Sequence, residues 1–205
     1  MKITLIVGSH QQDSQSHKVG KYLQHQFFEH AEVDDVGMVD LGGNPIPLWD
    51  STYWQENSAL KEHLKPYMEE LATADGLVII SPEWAGMVPG GLKNFMLYWS
   101  QETTGHKPAM LVGVSGGING AYPISELRHS GYKNSKIVYT PEHLIVRNVA
   151  DMMNDLDAKG GEGHDQSLRE RTSHAIDCLV AYAKAFKTMR ETTPDLIKEK
   201  YPFGM

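Results

Sequence analysis

Residues 76–94 read GLVIISPEWAGMVPGGLKN. Residues 76–81 form an apolar run typical of a strand buried on both faces of a parallel sheet, and an amphipathic pattern that predicts a helix begins near Gly90. The segment between them is a loop at the carboxyl end of a strand, where open α/β sheets bind ligands. Trp84 offers a flat apolar wall that would suit a planar ligand. A strand-to-helix connection that binds nothing is the simpler alternative.

Composition limits the classes of function. The chain has 205 residues, 40% hydrophobic and 22% charged, as expected for one globular domain. A formal net charge of -7 without a Lys/Arg cluster argues against nucleic-acid binding. No apolar run approaches the ~20 residues of a spanning helix, and no cleavable leader precedes the first strand. We therefore expect a cytoplasmic protein that binds no membrane, with the lone Cys178 as a small core residue.

A polar loop follows the first predicted strand, Lys2–Val7, and reads GSHQQDSQS over residues 8–16. A helical pattern comes next. Ser9, Ser14 and Ser16 add hydroxyl groups to the helix start, where a phosphate would meet free N–H groups and a favourable dipole. Simple helix capping by serine is the alternative. The loop is neither a Walker loop nor a Gly-x-Gly-x-x-Gly fingerprint, so those two nucleotide sites are disfavoured.

A glycine-rich loop follows the fourth predicted strand, Ala109–Val114, and reads SGGING over residues 115–120. Glycines directly after a buried strand suggest backbone N–H groups that face a ligand. A simple turn into the next helix, with no ligand, is the alternative. The fifth strand is expected between Lys136 and Val149.

Strands and helices alternate along the chain. The second strand is expected at Val33–Leu41 and a capped helix after Ser58. Asp151–Gln166 reads as a mobile loop, and a long helix is expected from Ser167. This order predicts an α/β fold with a five-stranded parallel sheet. We expect a flavodoxin-like three-layer α/β/α sandwich with the strand order 2-1-3-4-5, in which strands one and three are neighbours and their loops lie side by side. We expect a single domain over residues 1–190 and a C-terminal tail over residues 191–205.

Ten histidines raise the question of a metal site. His10 with His17, or His164 with Asp165, could be drawn as ligand pairs, but neither has the spacing of a known zinc arrangement. We interpret these histidines as solvated loop residues and predict no metal.

The three loops together resemble those of the NADPH-dependent FMN reductase family, a flavodoxin-like group that includes bacterial chromate, quinone and azo-dye reductases. The resemblance covers roughly residues 1–190. It rests on three motifs, which are Gly8-Ser9 with Ser14, Pro82-Glu83 with Pro89-Gly90-x-Leu92-Lys93-Asn94, and Ser115-Gly116-Gly117 with Gly120.

The resemblance implies FMN as cofactor and NADPH or NADH as reductant. The first loop would hold the phosphate, and the other two would flank the isoalloxazine ring. No side chain needs to act as an acid or base, so we name no catalytic residue. The implied cofactor-binding residues are Ser9, Gln11, Ser14 and Ser16 near the phosphate, Pro82, Glu83, Trp84, Ala85 and Gly86 along the ring, and Ser115, Gly116 and Gly117 on its pyrimidine side.

The implied activity is hydride transfer from NAD(P)H to the flavin N5, followed by electron transfer to a quinone-like or other small-molecule acceptor. Family members are typically homodimers or homotetramers. The candidate subunit contacts in this chain are Trp49, Tyr53, Trp54 and the helix that contains Phe95 and Trp99.

Three positions depart from the family pattern. Gln11 stands where Arg is usual, Trp84-Ala85 where Tyr-Asn is usual, and Leu97 where an acidic residue is usual. Loss of the Arg removes a cation expected near a phosphate, and charge-assisted hydrogen bonds are the stronger ones. A flavin-binding electron carrier or sensor without NAD(P)H oxidation is therefore the alternative. A phosphate-ester enzyme is disfavoured because no Cys-x5-Arg or metal-carboxylate set accompanies the serine loop.

Overall fold

The computed structural model of the protein describes residues 1–197, 201, 203 and 204. Its strands are β1 Lys2–Val7, β2 Asp35–Asp40, β3 Gly76–Pro82, β4 Pro108–Val114 and β5 Val138–Val146. They form one parallel sheet in the order β2-β1-β3-β4-β5, which confirms the predicted topology. β3 and β4 are buried along their whole length, as their unbroken apolar runs indicate.

Helices cover both faces of this sheet. In the described part of the chain they are α1 Gln15–Phe28, α2 Ala59–Thr73, α3 Gly90–Met96, α4 Gln101–Thr104, α5 Ala121–Arg128, α6 Gly163–Thr192 and α7 Pro194–Ile197. Residues of α1 and α6 pack on one face in one core cluster, and residues of α2, α3 and α5 pack on the other face in a second. The protein is therefore the expected three-layer sandwich.

The carboxyl ends of β1, β3 and β4 lie side by side. Val7 is paired with Ile80, and Ile80 with Val112. Gly8 then donates its N–H to the Ile80 carbonyl at 2.7 Å. A Cβ atom on Gly8 would lie 2.8 Å from that oxygen, so only glycine allows β1 to turn this close to β3. The three predicted loops consequently share one rim.

Residues 44–57, here called the strap, run along the same rim. A short 3-10 helix occupies Ser51–Trp54. Asn94 holds the strap in place, because its Oδ1 accepts from the Trp49 N–H at 2.8 Å and its Nδ2 donates to the Pro47 carbonyl at 2.7 Å. Asn94, which belongs to the second motif, therefore stabilises the strap.

Residues 151–166 are fastened to the core by a buried arginine. Arg169 has 0% exposure, and its guanidinium makes 2.9 Å ion pairs with Asp155 and Asp165. The guanidinium also lies 5.0 Å from the centre of the Tyr22 ring on α1. These contacts link the segment to α6 and α1, and its mobility stays a prediction.

Several predicted element boundaries differ from the structure. β2 is shorter than the predicted Val33–Leu41, and α6 begins at Gly163, ahead of the predicted start at Ser167. α6 also continues past the predicted domain end at residue 190. Part of the predicted tail, residues 198–200, 202 and 205, lies outside the described residues.

Phe95 and Trp99 are 0% and 5% exposed and pack into the core. That their helix contacts another subunit stays a prediction. Cys178 is half-buried on α6 beside His174 and is not one of the core residues. No helix of the described residues has the length and apolar character needed to cross a membrane.

Candidate active site

The first loop presents backbone donors at the start of α1. Ser14 caps the helix, and its Oγ accepts from the His17 N–H at 3.1 Å. The N–H groups of Gln12, Asp13, Gln15 and Ser16 donate to no atom of the described residues. Unpaired N–H groups at a helix start combine with the helix dipole to form an anion site.

The serines of this loop are buried to different degrees. Ser9 and Ser16 are 1% exposed and Ser14 is 9% exposed. Ser9 Oγ accepts from the Gln11 N–H at 3.3 Å, so its hydroxyl hydrogen stays available to a ligand. Ser14 can therefore cap the helix, and Ser9 stabilise the loop, while both hydroxyls bind an anion. Gln11 itself is exposed and brings no charge to the loop.

Asp40, at the end of β2, braces the first loop from the side. Its Oδ1 accepts from the Gly42 N–H at 2.9 Å, and its Oδ2 is hydrogen-bonded to His17 Nδ1 at 2.6 Å. Gly43 then donates its N–H to the His10 carbonyl at 3.1 Å. These contacts stabilise the first loop and leave the N–H groups of residues 12, 13, 15 and 16 unpaired.

Glu83 braces the second loop against the third. Its backbone N–H donates to the Val114 carbonyl at 2.9 Å, and its Oε2 accepts from the Gly120 N–H at 2.6 Å. Pro82 is buried as the last residue of β3 and so forms the base of the loop. With its carboxylate engaged by Gly120, Glu83 has a structural role.

The second loop projects as a tight turn over Trp84–Met87. Trp84 and Met87 exchange both backbone hydrogen bonds, and the two residues between them have positive φ, 50° for Ala85 and 74° for Gly86. This is the pattern of a type I′ turn, which favours Asn-Gly. Nothing lies within 4 Å of a Cβ placed on Gly86, so the tip of the turn faces open space.

His10 packs against Trp84 across the rim. Their ring centres are 4.6 Å apart with an interplanar angle of 85°, an edge-to-face contact. A Cβ on Gly91 would lie 2.9 Å from His10 Nδ1, so Gly91 makes room for the imidazole. The sequence does not reveal this contact, because the two rings are far apart along the chain.

Lys93 of the second motif helps to hold the Trp84–Met87 turn in place. Its Nζ pairs with Glu126 Oε1 on α5 at 2.5 Å, and Glu126 Oε2 accepts from the Val88 N–H at 2.7 Å. Burial alone would raise the pKa of Glu126, but the hydrogen bonds from Lys93 and Val88 hold that pKa below its ordinary value. Glu126 therefore stays charged and keeps the turn tied to α5.

The third loop forms an open glycine floor. Nothing lies within 4 Å of a Cβ placed on Gly116 or Gly117. Below them, Gly117 donates its N–H to Ser115 Oγ at 3.2 Å, and its carbonyl accepts from the Asn148 N–H at 2.9 Å. The glycine floor is thus held by hydrogen bonds on one side and is open to solvent on the other.

The histidines do not form a metal centre in the part of the chain that the structure describes, where no group of three or more His, Cys, Asp or Glu side chains converges. The interpretation of His10 and His17 as solvated loop residues is wrong. His10 Nδ1 is buried beside Gly91, and His17 lies on α1 paired with Asp40. His164 is exposed at the start of α6.

The rim fits a flavin mononucleotide. An elongated ligand with a phosphate at one end and a planar ring at the other matches a donor-rich helix start beside an aromatic turn and a glycine floor. The unpaired N–H groups at the start of α1 would suit the phosphate. The open space over Gly86, Gly116 and Gly117 would suit the ring.

Comparison with known proteins agrees with this geometry. The chain is 35% identical over 152 residues to 2-hydroxy-1,4-benzoquinone reductase from Burkholderia sp, covering 71% of this chain and 78% of that protein. It is 35% identical over 129 residues to FMN-dependent NADPH-azoreductase from Staphylococcus haemolyticus, covering 62% and 68% of the two chains.

Solved structures share the fold. One is a flavoenzyme NAD(P)H:(acceptor) oxidoreductase from Paracoccus denitrificans, with TM-score 0.65, 19% identity and coverage of 90% of this chain and 98% of that chain. Another is an FMN-dependent NADH-azoreductase from Bacillus anthracis in complex with FMN, with TM-score 0.57, 16% identity and coverage of 88% and 100%.

The family model for NADPH-dependent FMN reductase matches residues 1–151, which contain all three loops of the rim. The chain therefore belongs to the NADPH-dependent FMN reductase family, as the motifs around Ser9, Pro82 and Ser115 indicated.

Proposed function

We propose that this protein is an FMN-dependent NAD(P)H oxidoreductase that reduces a quinone-like, azo or other small acceptor. The observation that carries the proposal is the set of unpaired N–H groups at the start of α1, on the same rim as the open glycine floor. FMN, when bound, supplies the capacity to accept hydride from NAD(P)H and to pass electrons to the acceptor. The acceptor class comes from the quinone and azo reductases that the chain resembles.

The chain's own residues bind and orient under this proposal. The N–H groups of residues 12, 13, 15 and 16, with the Ser9 and Ser14 hydroxyls, would hold the phosphate. Trp84 with the turn at Ala85-Gly86 would lie along the ring, and Ser115, Gly116 and Gly117 would support its pyrimidine side. Glu83 would keep the turn and the floor at a fixed separation through Gly120. No acid or base is required of any side chain.

The deciding experiment is an anaerobic absorbance spectrum of the protein with FMN, taken before and after NADPH and, separately, NADH. Bleaching of the oxidised-flavin band by either nucleotide is the expected result. A bound flavin that neither nucleotide reduces would favour the electron carrier or sensor, and failure to bind FMN would overturn the assignment. Riboflavin is the matched control, and we expect it to bind at least about 10-fold more weakly because it lacks the phosphate.

We also propose that the protein works as a homodimer in the cytoplasm. Support for assembly comes from the strap, where Trp54 is 70% exposed and Leu48 is 83% exposed, together with Leu97 of the neighbouring loop at 63%. Large apolar side chains grouped on a surface are typical of interaction sites. A single cysteine and the use of NAD(P)H are in keeping with a reducing compartment, and recovery outside the cytoplasmic fraction of cells would contradict that location.

A further inference from the structure

Two lysines close to the rim are already engaged. Lys93 is paired with Glu126. Lys18 Nζ donates to the Val149 carbonyl at 2.6 Å and to Asn154 Oδ1 at 2.7 Å. Arg147 differs from both, because it is exposed and no carboxylate of the described residues lies within ion-pair distance of it.

Arg147 stands directly beside the glycine floor. It is the first residue after β5, and its Nε donates to the Asn119 carbonyl in the third loop at 3.1 Å. The next residue, Asn148, donates its N–H to the Gly117 carbonyl. The guanidinium is therefore tethered at Nε to the same loop that forms the floor, and its two terminal nitrogens remain available.

The position of Arg147 separates it from the phosphate loop. β5 and β1 are three steps apart in the sheet order, and neighbouring strands lie about 4.8 Å apart, so the two strand ends are separated by on the order of 14 Å. The phosphate held at α1 is therefore remote from Arg147, and the oxidised flavin ring is uncharged. An anion beside Arg147 would consequently come from a second molecule placed over the floor.

The chemistry of the side chain defines that molecule. A guanidinium keeps its charge at every physiological pH and presents a planar fork that binds phosphate, sulfonate or carboxylate in a bidentate manner. The net charge of -7 means that the chain as a whole repels anions, so a local cation has a large effect on which substrates approach.

We propose that Arg147 selects the second substrate by binding its anionic group. The group is a phosphate of the nicotinamide nucleotide or an acidic substituent of the electron acceptor. This inference rests on the proposed function, since it requires a substrate over the glycine floor. Arg147 is then a specificity-determining residue at the opposite end of the rim from Gln11.

The test compares FMN-loaded wild type with Arg147→Gln and Arg147→Lys by equilibrium binding. The probes are NADP+ and NAD+, and a sulfonated naphthoquinone and its unsulfonated parent. We expect Arg147→Gln to raise the dissociation constant of an anionic probe about 10-fold, as loss of a charge-assisted pair would. Arg147→Lys should recover part of the affinity, because it keeps the charge and loses the fork.

The pattern across probes identifies the source of the anion. Weakening of NADP+ alone indicates the 2′-phosphate, and equal weakening of both nucleotides with no change for the quinones indicates the pyrophosphate. Weakening of the sulfonated quinone alone indicates the acceptor. Lys65→Gln, an exposed lysine on α2, is the control for net charge and should change no constant more than about 2-fold.

The inference is overturned if Arg147→Gln weakens the unsulfonated quinone as much as any anionic probe, or changes no constant beyond the Lys65→Gln control. Its failure is distinguishable from failure of the proposed function. If the wild type binds no FMN, or if neither NADPH nor NADH bleaches the flavin, both proposals fall. If NADPH or NADH reduces the wild-type flavin but Arg147→Gln does not selectively weaken an anionic probe, only the role proposed for Arg147 is wrong. The oxidoreductase assignment is then unaffected.

Discussion

Ala85 has a backbone conformation that alanine rarely adopts. Its φ of 50° places it in the left-handed region, where a Cβ atom costs roughly 1–2 kcal/mol and where Asn is better tolerated. The family resemblance puts Asn at this position, and one interpretation is that its amide hydrogen-bonds the flavin. The turn geometry adds a second reason for Asn, since it is a favoured first residue of a type I′ turn.

We expect Ala85→Asn to raise the free energy of unfolding by about 0.5–1 kcal/mol, because it relieves backbone strain in the turn. Urea denaturation of the flavin-free protein measures the change. Gly86→Ala is the matched control, since it adds a Cβ in open space at a φ of 74° and should lower stability by about 1 kcal/mol. A neutral or destabilising Ala85→Asn together with a harmless Gly86→Ala would show that the turn is not strained.

The contacts between side chains of different loops on the rim could not be predicted from the sequence. The motifs located the loops, and Ser14 as a helix cap was predictable from its place before an apolar pattern. The Glu83 contact with Gly120 and the His10 contact with Trp84 were not predictable. Each contact joins two segments that are far apart in the sequence. The hydrophobic pattern of a single sequence gives no information about such long-range contacts.

Among the structural elements, the C-terminal end of α2 is stabilised by a buried lysine. Lys107, at 5% exposure, donates from Nζ to the carbonyls of Leu71 and Ala72 at 2.7 Å and of Thr103 at 2.8 Å. Carbonyls at a helix C-terminus favour a cation. Burial opposes it and is the dominant influence, so the pKa of Lys107 is lowered to about 7.

This pKa predicts a pH-dependent difference in stability between wild type and Lys107→Met. Above pH 7 the unfolded chain still carries the lysine proton, up to its ordinary pKa of 10.5, while the folded chain loses it. The free energy of unfolding of the wild type should therefore rise relative to Lys107→Met between pH 7 and 10, by up to about 1.4 kcal/mol per pH unit. Urea denaturation across this range measures the difference.

Lys65→Met is the control for the Lys107 experiment, because Lys65 is exposed on α2, the helix whose end Lys107 contacts, and should show no such trend. A difference between wild type and Lys107→Met that stays constant from pH 6 to 10 would mean that the three carbonyls keep Lys107 charged in the folded state.

Element types were easier to predict than element ends. β1 and β3 follow directly from unbroken apolar runs, since a strand buried on both faces needs them. The start of α6 was missed because residues 163–166 carry no apolar face. That turn is stabilised by Asp165, which accepts from the Met153 N–H at 2.8 Å and pairs with Arg169. These are tertiary contacts, which a hydrophobic pattern does not report.

At the scale of the whole molecule, the exposed apolar group on the strap predicts a homodimer. Trp54→Ser combined with Leu97→Glu should weaken self-association at least about 10-fold, because both side chains would leave the buried centre of the contact. Sedimentation equilibrium of the FMN-loaded protein measures the dissociation constant.

Tyr182→Ser is the matched control for self-association, since Tyr182 is an exposed aromatic residue on α6, away from the strap. A wild type that is strictly monomeric at micromolar concentration, or a double variant that associates as tightly as the wild type, would contradict a dimer formed through the strap.

The buried Arg169 also supplies the positive charge that balances the acidic residues of the segment 151–166. Acidic loops of this kind are commonly closed around a dissolved cation, and they then open when a chelator removes it. Here the positive charge between Asp155 and Asp165 is covalently part of α6. These two carboxylates therefore need no dissolved cation to balance them, and they lose their counter-charge only when α6 itself unfolds.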